Sequence, residues 1–364
     1  MNTDVLIIGA GLIGTSTALQ LAMRGCRCTV IDKDSPGRHA SGSNAGGLRQ
    51  LNRDPAEIPL SVAAAKMWHD IENLVDSDCD AKFPGQIRIA ENNSDMRKLK
   101  QRAGMGYQHE EIIDRQELYQ LVPALKPGCV GALICRGDGY ARPYHALTAF
   151  RQKAESLGAS FHAQSEVYKI EQESNGWSVR TSQGTYSAAV LVNCAGAWAG
   201  KLATQMQEPV PLTPKALMLM VTERLPHFVD PVMGAASRKL SFKQMQNGTL
   251  IIGGALDAKL DFKTEQTDID WQQLATSAKT VLDFFPQLKD VRIVRAWAGI
   301  EGFMPDNIPV ISASQITRNA YHAFGFSAHG LQLSPIVGRI MAQLIIDGRT
   351  DLPIEPFNIS RFDD

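Results

Sequence analysis

Apolar and polar positions along the chain mark its elements. Residues 5–8, Val-Leu-Ile-Ile, follow Asp4 as an unbroken apolar run, short enough for a strand buried on both faces. Ala18, Leu19, Leu21 and Ala22 recur at helical spacing, and Gly25 ends that helix because glycine takes a left-handed conformation at little cost. Thr29-Val30-Ile31 reads as a second strand, closed by Asp32. Residues 60–76 predict one amphipathic helix with His69 on its surface. Gln86-Ile87-Arg88-Ile89-Ala90 predicts a strand. Ser94 is the expected cap of a charged helix running through Arg102, and Asp114 that of a helix ending at Pro123. Residues 137–158 predict a turn and then a helix opened by Pro143 and closed by Gly158. Residues 160–199 alternate like strands, with hairpin signals at Asn175-Gly176 and Gln183-Gly184. They end in an apolar strand at 189–192 and a small-residue turn at 193–197. Residues 210–256 are strand-rich, at 216–222, 239–242 and 250–252, with a turn at Asn247-Gly248. A helix capped by Asp268 is expected over 268–285, and strands over 291–298 and 321–324. The last strand leads through the turn GFSAHG into a helix over 331–346.

Strand–helix alternation at both ends, with strand-rich stretches between, predicts an α/β fold combined with antiparallel β-structure. At 364 residues the chain suits two domains. Hydrophobic residues make up 44% and charged residues 21%, the proportions of an ordinary globular protein. A net charge of −1 gives no electrostatic footing for nucleic acid or an anionic membrane. The most lipid-like stretch, 331–346, contains Arg339 and is too short to span a bilayer. The first strand starts at about residue 4, which leaves no room for a signal peptide. The six cysteines form no C-x-x-C pair and no ferredoxin-type spacing, so they read as reduced thiols of a cytoplasmic protein that binds no metal.

The chemistry begins at Gly9, Gly11 and Gly14, spaced G-x-G-x-x-G between the first strand and its helix. The first glycine makes the tight turn, the second lets backbone approach a pyrophosphate, and the third lets helix pack on strand. The helix N-terminus then presents N–H groups and a partial positive charge to phosphate. Asp32 stands 23 positions after Gly9, near the spacing of about 20 for an acid that binds a ribose hydroxyl. The unit therefore reads as Rossmann-like dinucleotide binding, and the acid argues against a 2′-phosphate. Residues 35–47 are rich in glycine and serine: a flexible surface linker, or a loop that wraps a cofactor. Arg49 and Arg53, four apart, would share one helical face, either as a solvated basic patch or with one of them gripping a carboxylate by a two-pronged hydrogen bond. The terminal strand–glycine-turn–helix unit is a packing device, or a helix N-terminus aimed at an electron-rich group with His329 beside it.

Several stretches together resemble one family. They are DVLIIGAGLIGTSTALQLAMRG with Asp32, HASGSNAGGLR at 39–49, GDGYARPYHALTAFRQKAESLGA at 137–159, VLVNCAGAWA at 190–199, RAWAGIEGFMPDNIPVI at 295–311 and FGFSAHGLQLSPIVGRIMAQLI at 324–345. In order and spacing they resemble the FAD-dependent amine and amino-acid oxidoreductases of the D-amino-acid oxidase, glycine oxidase and sarcosine oxidase group. The resemblance implies an FAD domain assembled from 1–78, 138–205 and 300–364, and a mixed-sheet substrate domain from 79–137 and 206–299. It implies that Gly9, Gly11, Leu12, Ile13, Gly14, Asp32 and Lys33 hold the ADP half of FAD. Ser41, Gly42, Asn44, Ala45, Gly46, Gly47 and Leu48 would cover the pyrophosphate and flavin. Val167 would meet the adenine and Ala195, Gly196 and Trp198 the pyrophosphate. Gly325, Ser327, His329, Gly330, Leu331 and Gln332 would meet the flavin ring. Flavin N5 would accept a hydride from the amine-bearing carbon, and the imine would hydrolyse. Arg49 is the first choice for the substrate carboxylate and Arg53 the second, with Tyr140, Lys243 and Glu301 as further pocket candidates. His329 is expected as a flavin neighbour rather than a proton acceptor.

No cysteine stands late in the chain where some sarcosine oxidases carry a flavin link, so non-covalent FAD is expected. The chain also resembles β subunits of heteromeric dehydrogenases of sarcosine, proline, hydroxyproline or opines. That implies an α-type flavoprotein subunit and a small ferredoxin-like subunit, with FMN and an iron–sulfur cluster in or between partners. Electrons would then pass to a partner rather than to oxygen. The alternatives are an oxidase acting alone, a nicotinamide-dependent dehydrogenase, and a catalytically silent FAD scaffold.

Overall fold

The Asn2–Ile8 strand lies inside an eight-stranded sheet whose main path runs Val310–Ala313, Ala320–Phe324, Gly184–Asn193, Asn2–Ile8, Cys28–Ile31, Ser160–His162. Its last four residues are all buried, as an unbroken apolar run on a central parallel strand requires. Neighbours along this path are parallel, except that Val310–Ala313 runs antiparallel to Ala320–Phe324. The strands therefore come from the start, the middle and the end of the chain. The hairpin of Val167–Glu173 and Gly176–Thr181 extends antiparallel from Gly184–Asn193. Helices Leu12–Met23, Ile58–His69, Pro143–Ser156 and Gly330–Asp347 share the core on one face of this sheet. Gly338 allows the last helix to cross the first closely, since a Cβ there would fall 2.3 Å from Ser16 Oγ.

A second eight-stranded sheet runs Ile293–Phe303, Thr213–Arg224, Thr249–Asp257, Ser241–Gln244, Val232–Ala235, Gln86–Ala90, Gly131–Cys135, Glu111–Asp114. Only one pair in it is parallel, Val232–Ala235 with Gln86–Ala90. Its strands keep period 2. Ile87, Ile89 and Phe242 enter a core that includes Phe284 and Phe285, while Gln86, Arg88, Ser241 and Lys243 face a cavity between the sheets. The α/β plus antiparallel β expectation describes this architecture.

The computed structural model describes residues 1–362; Asp363 and Asp364, the last two positions of the expected FAD domain, lie outside the described residues. Several local expectations are corrected. Residues 60–76 form two helices, Ile58–His69 and Ile71–Val75, with the break at Asp70. Asn92, not Ser94, caps the Asn93–Ala103 helix, accepting from the Asp95 N–H. Asp270, not Asp268, caps Trp271–Phe284, because Asp268 is spent in a short strand of the unforeseen hairpin Lys259–Asp261/Gln266–Asp268. Arg49 and Arg53 share no helical face: they follow the Gly47–Leu48 strand, and the Arg53 Nε donates to the Arg49 carbonyl at 2.9 Å. All six cysteines are free, five buried and Cys26 partly so. Among the described residues no helix is long and apolar enough to cross a membrane.

Candidate active site

Between the two sheets lies one long cavity of about 920 Å³. Its wall begins at the glycine turn. Gly9 has φ of +111°, and a Cβ there would sit 2.3 Å from the Cys194 carbonyl, so only glycine fits where two strand ends meet. Gly11 stands at the N-cap of the first helix without a side-chain cap, and the first turn holds no acid, so the positive end of the helix is left for an anion. The Leu12 N–H donates to Ser41 Oγ at 2.9 Å, which ties the glycine loop to that helix. Asp32 accepts from the Ala10 N–H at 2.7 Å and the Asp34 N–H at 2.9 Å. Burial raises its pKa, and the two N–H groups oppose that rise.

Of the expected cofactor residues, Gly9, Gly11, Leu12, Ile13, Asp32, Lys33, Ser41, Asn44, Ala45, Gly46, Gly47, Val167, Ala195, Gly196, Trp198, Gly325, Ser327, His329, Gly330 and Leu331 line this cavity. Four do not. Gly14 packs on the Gly9 carbonyl, where a Cβ would fall 1.9 Å away, the packing role foreseen for the third glycine. Gly42 packs likewise on the Gly37 carbonyl, Leu48 lies in the core, and Gln332 turns its amide to the Ser61 carbonyl at 2.9 Å. A wall with a glycine cradle, an open helix N-terminus and a half-buried acceptor at Asp32 fits a dinucleotide.

The inner end of the cavity is cationic. Asp138 holds the Arg49 segment by accepting the Gln50 N–H at 2.8 Å and the Leu51 N–H at 2.9 Å. Arg49 Nη1 donates to the Leu51 carbonyl at 2.7 Å, and burial followed by Arg53 pushes its pKa down to about 9. Arg53 is buried, lines the cavity, and its Nη1 has no partner. Lys243 is buried and donates to the Ala45 carbonyl; burial alone lowers it to about 7. Glu301 lines the same space, and burial raises it to about 7. Tyr140 does not line the cavity; the Lys243 ammonium lies over its ring, 4.8 Å from the centroid.

His329 Nδ1 lies 3.0 Å from Glu57 Oε1. Burial, then Arg53, lowers His329 to about 4. Burial pushes Glu57 up, but His329, Arg53 and Arg49 more than offset it. At neutral pH the pair is a carboxylate accepting from a neutral imidazole. Gln86 and Arg88 are among the wall residues that escaped the sequence reading. The available signal was alternation, since Arg88 lies between Ile87 and Ile89 and so faces away from the core they enter.

A model of the family "FAD dependent oxidoreductase" (DAO) matches residues 4–344. The chain belongs to the DAO family of FAD-dependent oxidoreductases. Within the family, the B component of the opine oxidase of Rhizobium meliloti is 27% identical over 377 residues, covering 100% of this chain and 98% of its own length. The monomeric sarcosine oxidase of Streptomyces avermitilis is 27% identical, covering 98% and 97%. The solved L-proline dehydrogenase of P. horikoshii superposes with a TM-score of 0.93 at 25% identity, covering 100% of this chain and 98% of that one. This DAO-family chain is thus an FAD-dependent oxidoreductase, as its motifs implied.

Proposed function

We propose that this chain oxidises the C–N bond of a small or secondary amino acid, with FAD held non-covalently along the cavity and the substrate at its cationic inner end. The observation that carries the reading is the convergence of chain segments near residues 9–14, 41–53, 194–198 and 323–331 on one wall, with Arg49 and Arg53 beside it. Segments 1–78, 138–205 and 300–364 would form the FAD domain, and 79–137 and 206–299 the substrate domain. The two sheets support this division.

When bound, FAD supplies a two-electron acceptor for the hydride leaving the carbon that bears the amine. The protein does the rest. Gly9, Gly11 and the first helix would hold the pyrophosphate and Asp32 a ribose hydroxyl. The N-terminus of Gly330–Asp347 would favour negative charge on the ring edge it faces. Arg49 and Arg53 would fix the substrate carboxylate and so orient the amine-bearing carbon. Neutral His329, held by Glu57, would offer a polar edge rather than a positive charge. The resulting imine hydrolyses in water.

Similarity along the whole chain to one component of a multi-subunit opine oxidase supports a dehydrogenase that passes electrons to partners, an α-type flavoprotein and a small ferredoxin-like chain. Six free thiols support a cytoplasmic setting. The test is an anaerobic screen of the yellow holoprotein with glycine, sarcosine, D-amino acids, hydroxyproline isomers and opines. Bleaching of the flavin by one of them is expected, and none bleaching would overturn the reading. Rapid peroxide formation by the isolated chain in air would favour an oxidase acting alone.

A further inference from the structure

Glu301 is a buried carboxyl with no cation beside it. It sits near the end of the Ile293–Phe303 strand and is 9% exposed. It shares a strand face with Gly299, where a Cβ would fall 1.8 Å from Ser43 Oγ, so this face is turned to the glycine loop. Among the described residues three acids line the cavity: Asp32, Glu166 and Glu301. Asp32 is engaged by two backbone N–H groups at the nucleotide end, and Glu166 is exposed at the surface. Glu301 alone is buried away from that end.

Among the described residues no charged group pairs with it. Lys215, its cross-strand neighbour, lays its ammonium over the Phe303 ring, 5.0 Å from the centroid. His329, just beyond the 325–328 turn, bonds Glu57, and Lys243, which lines the same cavity, bonds the Ala45 carbonyl. The one group that steadies a charge on Glu301 is the Ala328 N–H. Ser327 and Ala328 are consecutive non-glycine residues at φ of 48° and 70°, a left-handed conformation held only where surrounding structure demands it. A buried ionisable group with no charged partner in its own chain is costly unless a ligand completes it. Its complement is a cation small enough to enter beside guanidinium groups that hold a carboxylate.

We propose that Glu301 receives the cationic amine of the substrate and takes one of its protons. The inference rests on the amine-oxidation reading above. One N–H bond of the ammonium breaks, one O–H bond forms on the Glu301 carboxylate, and the electron pair stays on nitrogen; nothing is oxidised in this step. The step matters because an ammonium nitrogen has no free pair with which to support hydride departure. Arg49, Arg53 and Arg88 line the same cavity, so a zwitterion would lie with its carboxylate toward them and its amine toward Glu301. A carboxyl that titrates near neutrality is also a better proton acceptor than an ordinary one.

The test uses holoenzyme and an amine that bleaches the wild type, with kcat/KM followed against pH. Wild-type kcat/KM should rise with pH through about 7, as Glu301 ionises. Glu301→Gln should lower kcat/KM at pH 7 by roughly 100-fold, the scale of a lost general base. Its limb should move to the alkaline range where the free amine loses its own proton. Binding of a carboxylate without an amine, such as propionate, read by the flavin spectrum, should change less than about threefold. A Gln variant within threefold of wild type at pH 7, with the neutral limb intact, would overturn the proposal while leaving amine oxidation standing. Should the Gln variant fail to hold FAD, Glu301→Asp decides: a displaced limb supports the proposal and an unmoved one overturns it. Wild type unbleached by every amine overturns the oxidation reading and this proposal with it.

Discussion

His329 Nδ1 and Glu57 Oε1, 272 positions apart, lie 3.0 Å from each other and tie the start of the last long helix to the residue preceding the Ile58–His69 helix. Both groups are held below their ordinary pKa values. For His329 the unfolded chain binds a proton from about pH 6.5 downward while the folded chain stays neutral to about 4. Stability contributed by the neutral imidazole is therefore full above pH 6.5 and is lost as pH falls toward 4. Glu57 acts in the same direction at lower pH. Thermal melts should show Tm falling between pH 7 and 5, by an amount equivalent to at most about 2 kcal/mol. His329→Asn should flatten that slope; an equally steep slope in the variant would show that other groups set it.

Arg49→Ala and Arg53→Ala should each raise KM while FAD stays bound. Loss of a hydrogen bond to a charged group costs about 1.5–3 kcal/mol, so KM should rise about 10- to 150-fold. Steady-state kinetics and the flavin spectrum check this together. Unchanged KM would take that arginine out of the carboxylate site.

Gly9→Ala should lose the cofactor. Its φ of +111° is unfavourable for alanine, and the new Cβ would press on the Cys194 carbonyl at 2.3 Å. The strain is on the order of 1–3 kcal/mol and falls where the pyrophosphate would sit. Flavin content after purification should drop to a small fraction of wild type, and a fully yellow variant would place the phosphates elsewhere.

The hairpin at 259–268 closes on the outer rim of the nucleotide end. Phe262 lies 5.3 Å from the Trp198 ring, and Glu265 pairs with Lys33. Glu265→Gln should speed FAD release about 2- to 5-fold, the scale of a partly exposed ion pair. Phe262→Ala should speed it further, and KM for substrate should not move in either variant. Stopped-flow release of flavin fluorescence measures the rate; no change in both variants would show the hairpin to be passive.

The glycine-turn end of the cavity was legible in the sequence because its geometry is local. Gly9, Gly11 and Gly14 are fixed by a turn and a helix start, and Asp32 ends the next strand. Elements with strong period or clear caps were equally plain, as in the Asp114 cap and the Pro143 start. Boundaries failed where a stronger acceptor stood nearby: Asn92 outcompeted Ser94, and Asp270 displaced Asp268. The pairing of Arg49 with Arg53 was misread as helical because spacing alone does not reveal a strand end and a turn.

By itself the sequence determined the β-α-β unit, the FAD-dependent family and such cavity glycines as Gly9 and Gly11, since turns, periodicity and motif order act over short stretches of chain. Tertiary structure decided which ionisable groups meet. It brought Glu57 to His329 and Arg88 to the wall holding Arg49, and it left Lys243 and Glu301 buried without charged partners. Such encounters depend on how two sheets face one another, and burial and charge proximity are properties of that space, which no single stretch of residues encodes.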